Sequence, residues 1–170
     1  MTNVEIKTRY TKTQRTEAVL KKIGARFDRV EVQSDTYFRV DGGMLKIRER
    51  DSDLPQLIQY FRGDEKAPRP SYYEIIHLRN AEKVRETLER EHGILGIVVK
   101  EREIWLWENV RIHFDKIENL GEFLEFEAVL EDDSDVEEES KKVKWLMKKF
   151  KIQEKNLLKE SYIDFITHHC

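Results

Sequence analysis

The chain has 170 residues, enough for one domain with its own core, and no shift in composition along it marks a second domain. Its formal charge is only −3 although 38% of residues are charged, which argues against a duplex nucleic-acid binder and leaves room for a local cluster that grips phosphate. No apolar run reaches membrane-spanning length, the opening MTNVEIKTRY lacks the regions of a signal peptide, and the one cysteine, Cys170, permits neither an internal disulfide nor a cysteine-built metal site. The expectation is a single cytoplasmic domain spanning residues 1–170, with no nucleic-acid or membrane partner.

Alternation of residue character, the signature of strands with two unlike faces, runs through most of the chain. In chain order it predicts a strand at 3–9, then a helix from Thr13 that carries Val19, Leu20 and Ile23 on one side and ends at Gly24. Strands follow at 27–40 and 44–50, joined by Asp41-Gly42-Gly43, a hairpin turn that lacks the spacing and the Lys-Ser/Thr of a phosphate-binding loop. Further strands are predicted at 57–62 and 71–78, separated by a mobile loop over 63–70 with four charges and two prolines. A second helix opens after Asn80, aligns Ala81, Val84 and Leu88, and stops at Gly93. Strands at 95–107, 110–116 and 123–131 complete about eight, the first two joined at Glu108-Asn109, so most neighbours should be antiparallel. The acidic run over 131–139 reads as the first turn of a third helix rather than as a cation-binding tail. Lys141, Lys142, Lys148 and Lys149 follow it in the sense that complements the helix dipole, and Val143, Leu146, Met147 and Phe150 supply the apolar stripe. A short packed helix is expected within 157–166.

Splitting each strand into faces separates charge from grease. Arg111, His113 and Asp115 share one face against Val110, Ile112 and Phe114, and Glu125 and Glu127 oppose Leu124, Phe126 and Ala128. Lys46, Arg48 and Arg50 oppose Leu45 and Ile47, Glu5 and Lys7 flank Ile6, Lys100 pairs with Arg102, and Arg62 ends another strand. A half-buried sheet whose polar face meets water gives the same pattern. The amphipathic helices, however, need an apolar surface, and an outward greasy face supplies it, which turns the charges into the lumen of a barrel whose closure also removes exposed edges. The expected fold is therefore α+β, a closed antiparallel eight-stranded barrel with a charged interior and amphipathic helices packed outside. Unpaired charge is too costly to bury, so such an interior must hold water, ions and an anion. Many cations suit a phosphate-rich compound, while the carboxylates require a divalent cation between them and it. A glycosidase pair fits poorly, because the surrounding cations keep both acids ionised.

The segments VEIK, SDTYFRV, MLKIRER, QYFR, VVKERE, VRIHFDKIENLGEFLEFEAV and SYIDFI together resemble the CYTH superfamily, which includes class IV adenylyl cyclases, thiamine triphosphatases and inorganic triphosphatases. The resemblance covers nearly the whole chain and implies a triphosphate tunnel. It implies phosphate contacts from Lys7, Lys46, Arg48, Arg62, Lys100, Arg102 and Arg111, and Mg²⁺ or Mn²⁺ held or oriented by Glu5, Asp115, Glu125 and Glu127. Glu5, Lys7, Arg62 and Asp115 are the catalytic candidates, and Arg69 is a candidate replacement for a family lysine. One departure is the opening signature, Glu-x-Glu-x-Lys in the family and Asn3-Val4-Glu5-Ile6-Lys7 here, which weakens one of two expected metal positions. His113 reads as a structural histidine before a proton shuttle, and Tyr37, Tyr60, Trp105 and Trp107 as packing before ring stacking. The expected function is metal-dependent hydrolysis of a triphosphate compound by a monomer or homodimer. The alternatives are conversion of ATP to cyclic AMP and pyrophosphate, or a module that binds nucleotide or polyphosphate without turnover.

Overall fold

A computed structural model describes residues 1–132 and 134–167; Asp133 of the acidic run and Cys170 lie outside the described residues. Eight strands, β1 (Thr2–Arg9), β2 (Arg26–Phe38), β3 (Met44–Arg50), β4 (Asp53–Arg62), β5 (Arg69–His77), β6 (Ile94–Trp107), β7 (Val110–Ile117) and β8 (Gly121–Val129), are joined by α1 (Gln14–Ile23), α2 (Ala81–His92) and α3 (Val136–Lys149), with α4 (Tyr162–Thr167) near the end. The strands form one closed barrel in the order β1-β5-β4-β3-β2-β6-β7-β8, and every neighbouring pair is antiparallel. Closure falls on β1, which pairs with both β5 and β8.

The greasy faces point outward, where the helices bury them. Val4, Ile6, Ile112, Phe114, Leu124 and Phe126 form one cluster with Leu20 of α1 and with Val143, Leu146 and Met147 of α3 and the adjoining Phe150. Each fully buried Leu, Ile or Phe contributes about 1.5–3 kcal/mol, so the hydrophobic stabilisation lies in the shell between barrel and helices. The α2 helix lays Ala81, Val84 and Leu88 on a smaller cluster around Phe38, Ile47 and Leu78. The α4 helix seats Tyr162 and Ile163 against Tyr37, Val98, Ile117 and Phe123.

Local chemistry sets the boundaries. Thr13 caps α1 in a reciprocal box with Thr16, and Gly24 ends that helix with φ 76°, the left-handed conformation that glycine adopts without strain. Asn80 and Asp135 cap α2 and α3 through Lys83 N and Glu137 N. The acids Glu137, Glu138 and Glu139 occupy the first turn of α3 and Lys148 and Lys149 its last, as the dipole reading requires. In the β2–β3 turn Gly43 has φ 67°, and an added Cβ would lie 2.6 Å from the Phe61 ring and 2.8 Å from the Tyr60 carbonyl.

Several strand ends lie two or more residues from their expected places; β2 stops at Phe38, β8 spans Gly121–Val129, and β4 and β5 both begin early. Strand β5 begins at Arg69, so the expected loop over 63–70 loses its last two residues to the sheet, where Pro70 lies opposite Val4 and Arg69 opposite Glu5. Strand β4 begins at Asp53 and runs through Pro55, because the β3–β4 ladder is irregular there and the Pro55 carbonyl still accepts from Leu78 N at 2.7 Å.

Candidate functional site

Closure of the barrel brings the inward rows of all eight strands, most of them charged, around one cavity of about 210 Å³, space for many waters rather than one. Lys7, Arg29, Lys46, Arg48, Arg50, Arg62, Lys100, Arg102 and Arg111 line it, facing Glu5, Glu31, Glu125 and Glu127. All the expected phosphate ligands therefore share the wall with three of the four expected metal ligands.

The cations are held by acids set behind them. Asp35 is fully buried and accepts from Arg48 Nε and Nη2, both at 2.8 Å, and from Lys46 Nζ and Lys100 Nζ, both at 2.9 Å. Burial alone would push this carboxyl up; Arg48, Lys100 and Lys46 outweigh it and hold Asp35 well below the usual carboxylate range. Burial and the neighbouring Arg48 depress Lys46 strongly, and burial brings Lys100 down to about 8. Lys46 also donates to the Tyr37 hydroxyl at 3.3 Å.

A second clamp joins Arg102 to Asp115 fork to fork, with both bonds at 2.7 Å, and the Tyr162 hydroxyl donates to the same Asp115 Oδ2 at 2.7 Å. Asp115 is thus the predicted site residue that departs from its expected place: it stands behind Arg102, off the cavity wall, with both oxygens engaged. Tyr162 also lies under Lys7, whose Nζ is 3.8 Å from the ring centroid.

The remaining acids converge where β1, β8 and β7 run side by side, with Glu5 opposite Glu127, Lys7 and His113 opposite Glu125, and Arg111 opposite Glu127. Glu125 meets Lys7 at 3.1 Å, Arg102 at 3.2 Å and His113 Nδ1 at 3.4 Å, and Glu127 meets Arg111 at 3.0 Å. Burial pushes Glu125 up, but Lys7, Arg102 and the hydrogen bond with His113 outweigh it and hold it well below the ordinary range; Arg111 and Arg102 likewise help to outweigh burial at Glu127. Glu5 goes the other way. Burial raises it, Glu125 and Glu127 raise it further, and Arg62 at 3.4 Å only partly compensates. Burial and the Arg102 charge both lower His113, which favours its neutral imidazole. One ligand atom each from His113, Glu125 and Glu127 lies within 4.8 Å of the others, and this donor set, with a third carboxylate strained toward protonation beside it, fits a divalent cation. Asn3, where the family signature has an acid, offers its Oδ1 to the Tyr73 hydroxyl at 3.2 Å.

Other expectations resolve by position. Arg69 is buried off the wall, donating to the backbone carbonyls of Glu65 at 2.8 Å and Lys159 at 2.9 Å, so it tethers the C-terminal segment rather than replacing a phosphate ligand. Trp105 meets Phe27 edge-on and Trp107 stacks on Trp145 of α3, both as packing, whereas Tyr37 and Tyr60 line the cavity. The sequence reading passed over Glu31, Gln33, Asp35 and Tyr162. The first three share the alternate positions of β2 with Tyr37, so the face analysis applied to the other strands would have found them. Tyr162 enters the site from a helix outside the sheet, where strand periodicity carries no signal.

Comparison with known proteins agrees with this geometry. The family profile described as the CYTH domain matches residues 1–162. A Methanocaldococcus jannaschii protein named "putative adenylate cyclase" is 26% identical over 96% of this chain and 98% of its own length. Among solved structures, a Pyrococcus horikoshii protein superposes with a TM-score of 0.83 at 23% identity, covering 95% of this chain and 98% of that one. A Hippeastrum "putative adenylyl cyclase", described as revealing a dominant triphosphatase activity, superposes with a TM-score of 0.64 at 14% identity, over 98% of this chain and 95% of that one.

Proposed function

This chain belongs to the CYTH domain family, and on that premise we propose that it hydrolyses a triphosphate compound with the help of a divalent cation, Mg²⁺ or Mn²⁺. The observation that carries the reading is the sharing of one cavity wall by nine basic side chains and the Glu5, Glu125 and Glu127 carboxylates. Such a wall attracts a polyanion, and a cation between its oxygens and the acids would relieve the repulsion from those carboxylates.

In this reading Lys46, Arg48, Lys100 and Arg102 grip the phosphate chain, preset by Asp35 and Asp115, so little reorganisation accompanies the reaction. Glu125 and Glu127 hold the cation, and Glu5, the acid with the raised pKa, lies beside it to orient a water. When bound, the cation polarises a phosphoryl oxygen and makes water more acidic. Water attacks phosphorus, the bond to the bridging oxygen breaks, and Lys7, Arg62 and Arg111 face the charge that builds on the departing phosphate. Asp115 is reassigned here from metal ligand to the residue that positions Arg102.

Cyclisation of ATP uses the same wall with a ribose hydroxyl as the attacking group. The name of the M. jannaschii relative favours it, as does the apolar surface that Ile58, Ile75 and Ile104 offer to an organic moiety. Incubation with ATP and with tripolyphosphate under Mg²⁺ and under Mn²⁺ decides between them: orthophosphate supports hydrolysis, and cyclic AMP with pyrophosphate supports the cyclase. Tight binding with no product from either would make the chain a binding module, the reading that Asn3 favours. Glu125→Gln and Glu127→Gln should each remove most turnover while the fold survives; full activity in either variant refutes the assignment.

A further inference from the structure

We propose that His113 is itself a ligand of the divalent cation, completing a site of one imidazole and the Glu125 and Glu127 carboxylates, and that this nitrogen biases the site toward transition-metal ions over Mg²⁺. The proposal rests on the cation-assisted reading above and adds the identity of the metal. It starts from the sheet. His113 lies on the inward row of β7, directly opposite Glu125 on β8 and one inward position from Arg111, the partner of Glu127. On its other side the β6 neighbour is Ile104, an apolar residue that offers the ring no polar partner.

The ring's own hydrogen bonding does not account for its placement. It is 4% exposed, and among the described residues its one polar contact is Nδ1 to Glu125 Oε1 at 3.4 Å, beyond the usual 2.7–3.2 Å of an N–H···O bond. Its Nε2 has no hydrogen-bond partner among the described residues, although the ring borders the cavity. A buried structural histidine ordinarily satisfies both nitrogens. Here a loosely held imidazole faces two carboxylates, and the three can present one atom each within 4.8 Å of one another.

The chemistry of that donor set discriminates between ions. Mg²⁺ takes oxygen ligands in a strict octahedron and keeps its waters, whereas first-row transition ions accept imidazole nitrogen readily. A wall of carboxylates alone would leave the choice to supply; one nitrogen tilts it.

Pulsed EPR of Mn²⁺ bound to the wild-type protein, with and without tripolyphosphate, tests the proposal without requiring turnover. The expected spectrum shows nitrogen coupling from one imidazole. The coupling should change on ¹⁵N-histidine labelling, and it should vanish in His113→Asn, where the Mn²⁺-over-Mg²⁺ preference falls by about tenfold or more. Labelling needs no substitution, so the test holds even if the variant misfolds. If Mn²⁺ binds, is lost in Glu125→Gln, and shows no histidine coupling in wild type, the imidazole assignment is overturned while the proposed function survives. If Mn²⁺ does not bind even with tripolyphosphate present, both fall.

Discussion

Asp35 receives Nε and Nη2 of Arg48 at 2.8 Å each inside the barrel, and the same carboxylate holds Lys46 and Lys100. One buried anion thus serves three cations, which leaves the cluster with surplus positive charge directed at the cavity. Removing one partner of a buried ion pair costs about 3–5 kcal/mol, because the other is left uncompensated. Asp35→Asn should therefore lower Tm by several degrees, at about 2–4 °C per kcal/mol for a chain of this size. Tripolyphosphate should restore more of that loss than it adds to the wild type, since it replaces the missing anion. Thermal unfolding with and without the polyanion measures both effects, and an unchanged Tm contradicts the role given to Asp35.

Lys100 makes phosphate binding depend on pH. Its pKa is pushed down to about 8 in the folded, ligand-free protein, mainly by burial. Below that pH the ammonium is charged and available to phosphate; as pH rises through about 8 the charge is lost, and affinity should fall by up to about tenfold per unit for this one proton. The stability sign is the reverse. Between about 8 and the ordinary lysine value the unfolded chain holds the proton that the native state has released, so this group makes the ligand-free protein more stable as pH rises. Titration calorimetry with tripolyphosphate from pH 7 to 9.5 should show the decline in wild type and a flatter profile in Lys100→Arg.

Glu5 should trade stability for function. Its pKa is raised by burial and by Glu125 and Glu127, so native Glu5 takes up a proton at a pH where the unfolded chain has already lost it. Stability falls as pH rises through that window, and the cost persists at neutral pH. Glu5→Gln removes the repelling charge and should raise the Tm of the metal-free protein while reducing turnover by about 10–100-fold. Unfolding scans in chelator beside product assays check the pair, and a lower Tm would contradict the electrostatic account.

Asp115 and Glu125 should separate under mutation although both are buried acids near Arg102. Asp115→Asn breaks the fork that aims Arg102 and should weaken tripolyphosphate binding, with Mn²⁺ affinity held within a few-fold. Glu125→Gln should abolish Mn²⁺ binding. Tyr162→Phe deletes a hydrogen bond to a charged group, worth about 1.5–3 kcal/mol, and should lower Tm without changing the metal. Loss of Mn²⁺ in Asp115→Asn would return that residue to the metal ligands.

Much of the site was legible because a strand has a period of two. Once Arg111, His113 and Asp115 were placed on one face, Val110, Ile112 and Phe114 had to pack elsewhere, and the helices supplied where. The helix ends were legible for equally local reasons, as with the left-handed Gly24. Asp35 was hidden for a different reason. Face analysis of β2 groups it with Glu31, Gln33 and Tyr37, but its task as shared counter-ion shows only once Lys46, Arg48 and Lys100, on other strands, close on it. The start of β4 at Asp53 was not legible, because a proline such as Pro55 inside a strand is tolerated only where the ladder is irregular, a property of the pairing with β3 rather than of the residue.

The sequence by itself determined which side chains share a face, the signs of their charges and the apolar surface the helices must cover, because each follows from chain geometry over a few residues. Only the tertiary structure decided how those faces meet. Strand order and register put Glu127 between Glu5 and Arg111, sent Asp115 behind Arg102, and brought Tyr162 from a helix into the lumen. The physical reason is that burial and charge pairing act across space, so an acid's task here depends on what the closed barrel sets against it.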